Sequence, residues 1–208
     1  MNLSPFHPPF KLNIITLSQK KGFSVVELIV VVAIIGIMSA IALANYSSHN
    51  ERVSIQGAVE QVALSVRQAQ ASAVGAREYP QASGNFDTGW GVYFHTTTPT
   101  DYIFFADPAH TSLYNGSLSC TAINNCVERV FYKQGYTTKE ICVGASPGSL
   151  DCTTYNVLSI VFTRPNLGPT IRPTLASGTF PYAEVRLQSP KGLVKTMAIW
   201  STGYSLIQ

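Results

Sequence analysis

Apolar positions are spread unevenly along this chain of 208 residues. From Leu28 to Ala44 the sequence reads LIVVVAIIGIMSAIALA, 17 residues without a charge, ten of them Leu, Ile or Val. With Val25, Val26 and Glu27 the stretch reaches 20 residues. As a helix it is about 30 Å long, which matches a bilayer core. The pattern then changes. Ile55, Val59, Val62, Val66, Ala69 and Ala73 recur at spacings of 4, 3, 4, 3 and 4, one apolar stripe on a helix. Glu51, Arg52, Gln56, Glu60, Gln61, Arg67, Gln68 and Gln70 fall between them and predict a wet face. The stripe fades at Gly75, and Pro80 ends it by about Glu78. One helix is therefore expected over 24–77, with a membrane span at about 25–44 and an amphipathic second half.

Beyond residue 79 short β-branched and aromatic runs alternate with Gly, Pro and Asn turns. The candidate strands are Gly89–His95, Tyr102–Ala106, Arg129–Lys133, Glu140–Val143, Leu158–Thr163, Ala183–Gln188 and Val194–Trp200, with a last short one at Tyr204–Ile207. No amphipathic helices of 10–15 residues intervene, so parallel crossover units are not expected. The fold class that follows is α+β: a long N-terminal helix packed on an antiparallel, two-sheet, β-rich head.

Charge changes the picture at the N-terminus. Charged residues make up 12% of the chain, about half the share in ordinary soluble domains. The aromatic content argues against disorder, and a net charge of +3 is too small to indicate nucleic-acid binding. Three of the 14 basic residues, Lys11, Lys20 and Lys21, precede Phe23 with no acid among them; the remaining 11 balance the 11 acidic residues. Lysines ahead of an apolar span keep the N-terminus cytoplasmic and send the rest across the membrane. A cleaved secretory signal has a shorter apolar core and a small-residue cleavage site. A plain signal anchor, or a buried core helix, could also carry such a run. The run's length and position disfavour a core helix, and neither a signal peptide nor an anchor has a use for Glu27, because a lone carboxylate in an apolar span is costly and needs a partner.

The segment Lys20-Lys21-Gly22-Phe23-Ser24-Val25-Val26-Glu27-Leu28 resembles the processing site of type IV prepilins and type II secretion pseudopilins. The resemblance implies that a prepilin peptidase, also an N-methyltransferase, cuts between Gly22 and Phe23 and methylates the new amino group. It implies that Glu27 is the family's acid. The organisation becomes 1–22 leader, 23–78 helix and 79–208 head. The new ammonium at Phe23 needs an anion and Glu27 needs a cation. Glu27 then pairs either with the ammonium of a neighbouring subunit, fixing register, or with its own terminus. Two features depart from the family: the leader is long, so that the true start is allowed to lie downstream of Met1, and Ala44 stands where many pilins have Pro near the end of the apolar run. Gly36 is either a point of helix loosening or a small residue for close packing.

Arg67-Gln68-Ala69-Gln70-Ala71-Ser72-Ala73, then Gly89-Trp90-Gly91-Val92-Tyr93-Phe94, then a late strand-turn-strand look like the H-type minor pseudopilin and its minor-pilin relatives. The expected function is a structural subunit, minor in type, of a type IV pilus or type II secretion pseudopilus. Its partners are the peptidase, other pilin or pseudopilin subunits and the inner membrane. The head faces the periplasm or the exterior. The alternatives are a DNA-binding minor pilin and a plain membrane-anchored binding domain.

Cys120, Cys126, Cys142 and Cys152 all lie in the head, and an even count in an exported domain suits disulfides. Of three connectivities, Cys120–Cys126 with Cys142–Cys152 closes two local turn-rich loops. Unpaired thiols stay open, and zinc fits poorly with these spacings. No cofactor or metal is expected. The chain carries no hydrolase, zincin or phosphate-loop motif. His7, His49, His95 and His110 have no ligand or triad spacing, Asp101 and Asp107 read as turn residues, and Asp151 has no acidic neighbour. An enzyme is not expected. Arg164, Arg172, Arg186, Lys191 and Lys195 make the C-terminal third basic, the one candidate for a DNA-binding patch.

Overall fold

The computed structural model describes residues 22–81, 83–114, 117–120, 125–132, 135–166, 168–173 and 178–208, apart from the side chains of residues 44, 45, 47 and 48. Residues 1–21, with Lys11, Lys20 and Lys21, lie outside the described residues, as does Lys133. Helix α1 runs over Val25–Val74. Ten strands follow: β1 Gly89–His95, β2 Asp101–Asp107, β3 Cys126–Phe131, β4 Thr137–Ser146, β5 Ser149–Asp151, β6 Val157–Phe162, β7 Thr170–Arg172, β8 Tyr182–Gln188, β9 Val194–Trp200 and β10 Ser205–Ile207. The chain divides into two compact units, 1–46 and 47–208.

In the larger unit the strands form two five-stranded sheets, in the orders β3-β2-β1-β6-β7 and β10-β9-β8-β4-β5. Every pairing is antiparallel. The expected α+β class and two-sheet head are what the structure has. The helical stripe is the reason: Ile55, Val59, Val62, Val66, Ala69 and Ala73 are all buried. They share one core with Trp90, Val92, Phe94, Phe104 and Ile160 of the first sheet and Ile141, Val185, Met197 and Ile199 of the second. The Ser65 hydroxyl adds a 2.7 Å hydrogen bond to the Tyr102 hydroxyl. A smaller cluster, Ile103, Phe105, Tyr114, Cys126 and Val161, fills the opposite face of the first sheet.

Several expectations needed correction. β3 begins at Cys126 instead of Arg129, and β4 extends well past both ends of Glu140–Val143. The three-residue strands β5 and β7 were not foreseen, because so short a run carries no periodicity. Glu51 is not on the wet face. Its carboxylate accepts hydrogen bonds from the Ser189 hydroxyl at 2.5 Å and the Lys191 amide at 3.0 Å, and faces the Lys191 ammonium at 3.6 Å. It ties the β8–β9 turn to α1.

α1 ends by backbone capping. The Arg77 amide reaches the Ser72 carbonyl at 3.0 Å and the Ala76 amide the Ala73 carbonyl at 3.3 Å. This is the paired bonding of a Schellman stop, with Ala76 in the left-handed position at φ 52°.

Gly91 sits in the central strand β1 for a steric reason. A Cβ there would meet the Ile160 carbonyl oxygen at 2.8 Å and the Phe105 ring at 2.9 Å. Gly91→Ala is expected to lower stability by about 1–3 kcal/mol through overpacking. A thermal unfolding midpoint unchanged from wild type would count against that account.

Candidate functional site

The first turn of α1 is built from Ser24. Its carbonyl accepts the Leu28 amide at 3.1 Å, which makes Ser24 the residue before the helix proper. Ser24 and Glu27 stand in the three-residue spacing of a capping box, a pattern visible in the sequence and not used there. Glu27 is the acid of the first turn, where unpaired amide groups carry partial positive charge. Phe23 is 82% exposed. Gly22 is exposed too, and a Cβ placed on it meets nothing within 4 Å. Behind this turn Val25–Leu43 makes a span of 19 residues, none of it buried. That length suits a bilayer. In lipid such a helix is satisfied on every face except at Glu27, whose charge needs a cation nearby.

The remaining sequence-derived sites are in the head. Cys120 is bonded to Cys126 and Cys142 to Cys152. The second bridge joins β4 to the residue after β5. Glu140 lies beside it, its carboxylate within 4.8 Å of both sulfurs, but the sulfurs are joined to each other and Glu140 accepts a 3.2 Å bond from Arg186. A hydrogen bond from the Thr154 side chain, with the Thr153 and Thr154 amides at 2.9 and 3.1 Å, holds the Asp151 carboxyl down at about 2.

Asp101 and Asp107 are not turn residues. They are the two ends of β2 and both are buried. Asp107 accepts from the Thr111 and Ser112 amides at 3.0 and 2.7 Å and pins the following loop. Asp101 is gripped by the Arg129 guanidinium at 2.6 and 3.0 Å and lies 3.5 Å from His95 Nε2. The Thr98 hydroxyl lies 3.2 Å from His95 Nδ1. The hairpin explains the cluster: Phe94 pairs with Tyr102, so His95 and Asp101 are next across the turn. That proximity could have been read from two strands separated by five residues.

This cluster predicts a pH effect on stability. Burial holds the His95 imidazole below its ordinary 6.5, against the opposing pull of Asp101. The folded state then binds fewer protons than the unfolded chain just below that pH. The contribution is fully present above about 6.5 and is lost as pH falls from there through the lower folded-state value. The unfolding midpoint is expected to drop as pH falls below about 6.5, with a shallower slope in His95→Gln. Equal slopes would remove His95 as the cause.

Of the five basic residues of the C-terminal third, four are held by partners within the head. Arg186 pairs with Glu184 at 2.9 Å and Glu140 at 3.2 Å, and Lys191 pairs with Glu51. Arg164 donates to the Phe86 carbonyl and Arg172 to the Thr111 carbonyl. Lys195 lies on β9 beside the groove at the start of the helical stripe.

Residues 17–43 match the family described as the prokaryotic N-terminal methylation motif. Two curated fimbrial proteins of Pseudomonas aeruginosa are each 32% identical to the chain over 85 residues, which is 41% of this chain and 55% of the relative. The chain thus spans about half the length of the curated relatives it matches. No solved structure matches it.

Proposed function

We propose that this chain, whose N-terminal segment is that of the type IV pilin family, is a structural subunit of a type IV pilus. The observation that carries the reading is the match of residues 17–43 to the methylation motif, coinciding with an apolar, fully exposed span that begins one turn after Gly22. The similarity to fimbrial proteins supports it. Prepilin peptidase cuts after Gly22, Phe23 is methylated, and the span holds the subunit in the membrane with its N-terminus cytoplasmic until assembly. The head is then periplasmic or external, where its two disulfides persist. The role is structural and not enzymatic.

A minor subunit is the finer form of the proposal, and a pseudopilus the alternative assembly. The resemblance of the Arg67–Ala73 and Gly89–Phe94 motifs to H-type minor subunits supports the former. DNA binding has weaker support, because Arg186 and Lys191 are committed to carboxylates. Intact-mass spectrometry of the membrane-extracted protein tests the reading: the expected chain begins at methylated Phe23. A chain still carrying its leader in cells with an active peptidase would sink it.

A further inference from the structure

A groove of the head lies between the start of its helical segment and the β8–β9 hairpin. It measures about 600 Å³ and is lined by His49, Arg52, Val53, Ile55, Gln56, Leu193, Val194 and Lys195. Its chemistry is two-sided. Val53, Ile55, Leu193 and Val194 give an apolar floor, and Val53 stays 59% and Val194 39% exposed. Arg52, Lys195 and His49 give a basic rim with no acid in the lining. Among the described residues, neither Arg52 nor Lys195 has a carboxylate within ion-pair distance. The nearest acid in sequence, Glu51, is committed to the Ser189–Lys191 turn.

A site with a cationic rim and an apolar floor suits an anionic amphiphile. The chain brings one within reach. Only five residues separate the end of the apolar span at Leu43 from His49. Such a stretch, however folded, spans no more than about 22 Å. We propose that this groove binds the headgroup and upper acyl chain of an anionic phospholipid from the membrane that the helix spans. Arg52 and Lys195 take the phosphate, and the Val53–Val194 floor takes the first methylenes. The inference rests on the membrane-anchored reading of α1. It assigns the head a lipid contact that holds while the subunit waits in the membrane and must break when the subunit leaves it.

The test uses the full chain in nanodiscs of equal phosphatidylglycerol and phosphatidylcholine, released into detergent for native mass spectrometry. The wild-type chain is expected to retain phosphatidylglycerol over phosphatidylcholine by about tenfold or more, from two cations near a phosphate. Arg52→Gln with Lys195→Gln should bring the ratio near unity, and Val194→Glu should do the same by placing an acid in the groove. Arg67→Gln, outside the groove, should leave it unchanged. All four positions are exposed or half-exposed, and an unchanged unfolding midpoint confirms an intact fold. Equal retention of both lipids by the wild type, or a preference that survives the double substitution, overturns the proposal. So does a lipid-free dimer that the same substitutions dissociate, since a second chain then fills the groove. A chain that fails to enter the discs overturns the membrane reading itself, which separates the two failures.

Discussion

Gly22→Val is expected to leave the chain uncut and absent from filaments. The cut proposed after Gly22 requires the peptidase to reach the backbone at that carbonyl. A residue without a Cβ leaves this approach open, whereas a β-branched one crowds it. The structure separates this effect from folding. Gly22 precedes the helix, and a Cβ on it meets nothing within 4 Å. The helix, the span and the head are therefore expected to be unchanged. An uncut chain also keeps Lys20 and Lys21 in front of the span and lacks an ammonium at Phe23, so it fails twice, in processing and in charge pairing. Intact mass of the membrane fraction reads the first failure, and sheared surface filaments read the second. Gly36→Val is the control for cleavage alone, since position 36 is equally open within the chain and lies outside the processing site. A Gly22→Val chain of mature mass refutes the proposed cut.

How far the sequence led depended on the length scale of each feature. The span and the stripe from Ile55 to Ala73 were legible because a period repeated over several turns leaves few alternatives. The interior strands β1 and β9 were legible to the residue because turn residues bound them: Gly89 opens β1 and Pro99 follows it, while Pro190 and Gly192 precede β9 and Gly203 follows it. The edges were not. β5 and β7 have three residues each and exist because a neighbouring strand offers a ladder, a tertiary cause that leaves no local pattern. Glu51 was misplaced for a related reason. By helical spacing it belongs with the wet residues, but the β8–β9 turn, more than a hundred residues later, comes back to it. The half-buried Asp101–Arg129 pair joins residues 28 apart and was hidden in the same way, although its His95 partner lay in plain view across one hairpin. The capping-box spacing of Ser24 and Glu27 was legible and changes how Glu27 must be tested, because it gives that carboxylate an ordinary structural use.

Glu27→Gln is expected to abolish filament incorporation while cleavage and membrane insertion stay normal. Two roles compete for this side chain. As the third residue of a capping box it serves only its own helix. There Gln substitutes well, and the change costs under about 1 kcal/mol of dipole interaction. As the anion for a Phe23 ammonium in lipid, its charge is indispensable. Removing one partner of a desolvated pair costs about 3–5 kcal/mol, since it strands the other charge. That is roughly a hundredfold to several thousandfold in subunit affinity. Gln keeps the shape and the cap and removes only the charge, so it discriminates where Ala does not. If Gln assembles and Ala fails, the role is capping. If both fail and Asp is partly active, the role is the charge. Co-expression with wild-type chains then locates the partner. A Glu27→Gln subunit still presents its own Phe23 ammonium, so a pair between subunits allows a neighbour's Glu27 to dock on it even though it cannot dock itself. Such subunits would enter only as the first subunit of a filament, so tagged variant chains would be found at filament ends and nowhere else. A pair within one chain gives no such ends: the variant simply drops out, and the filaments contain wild-type chains alone.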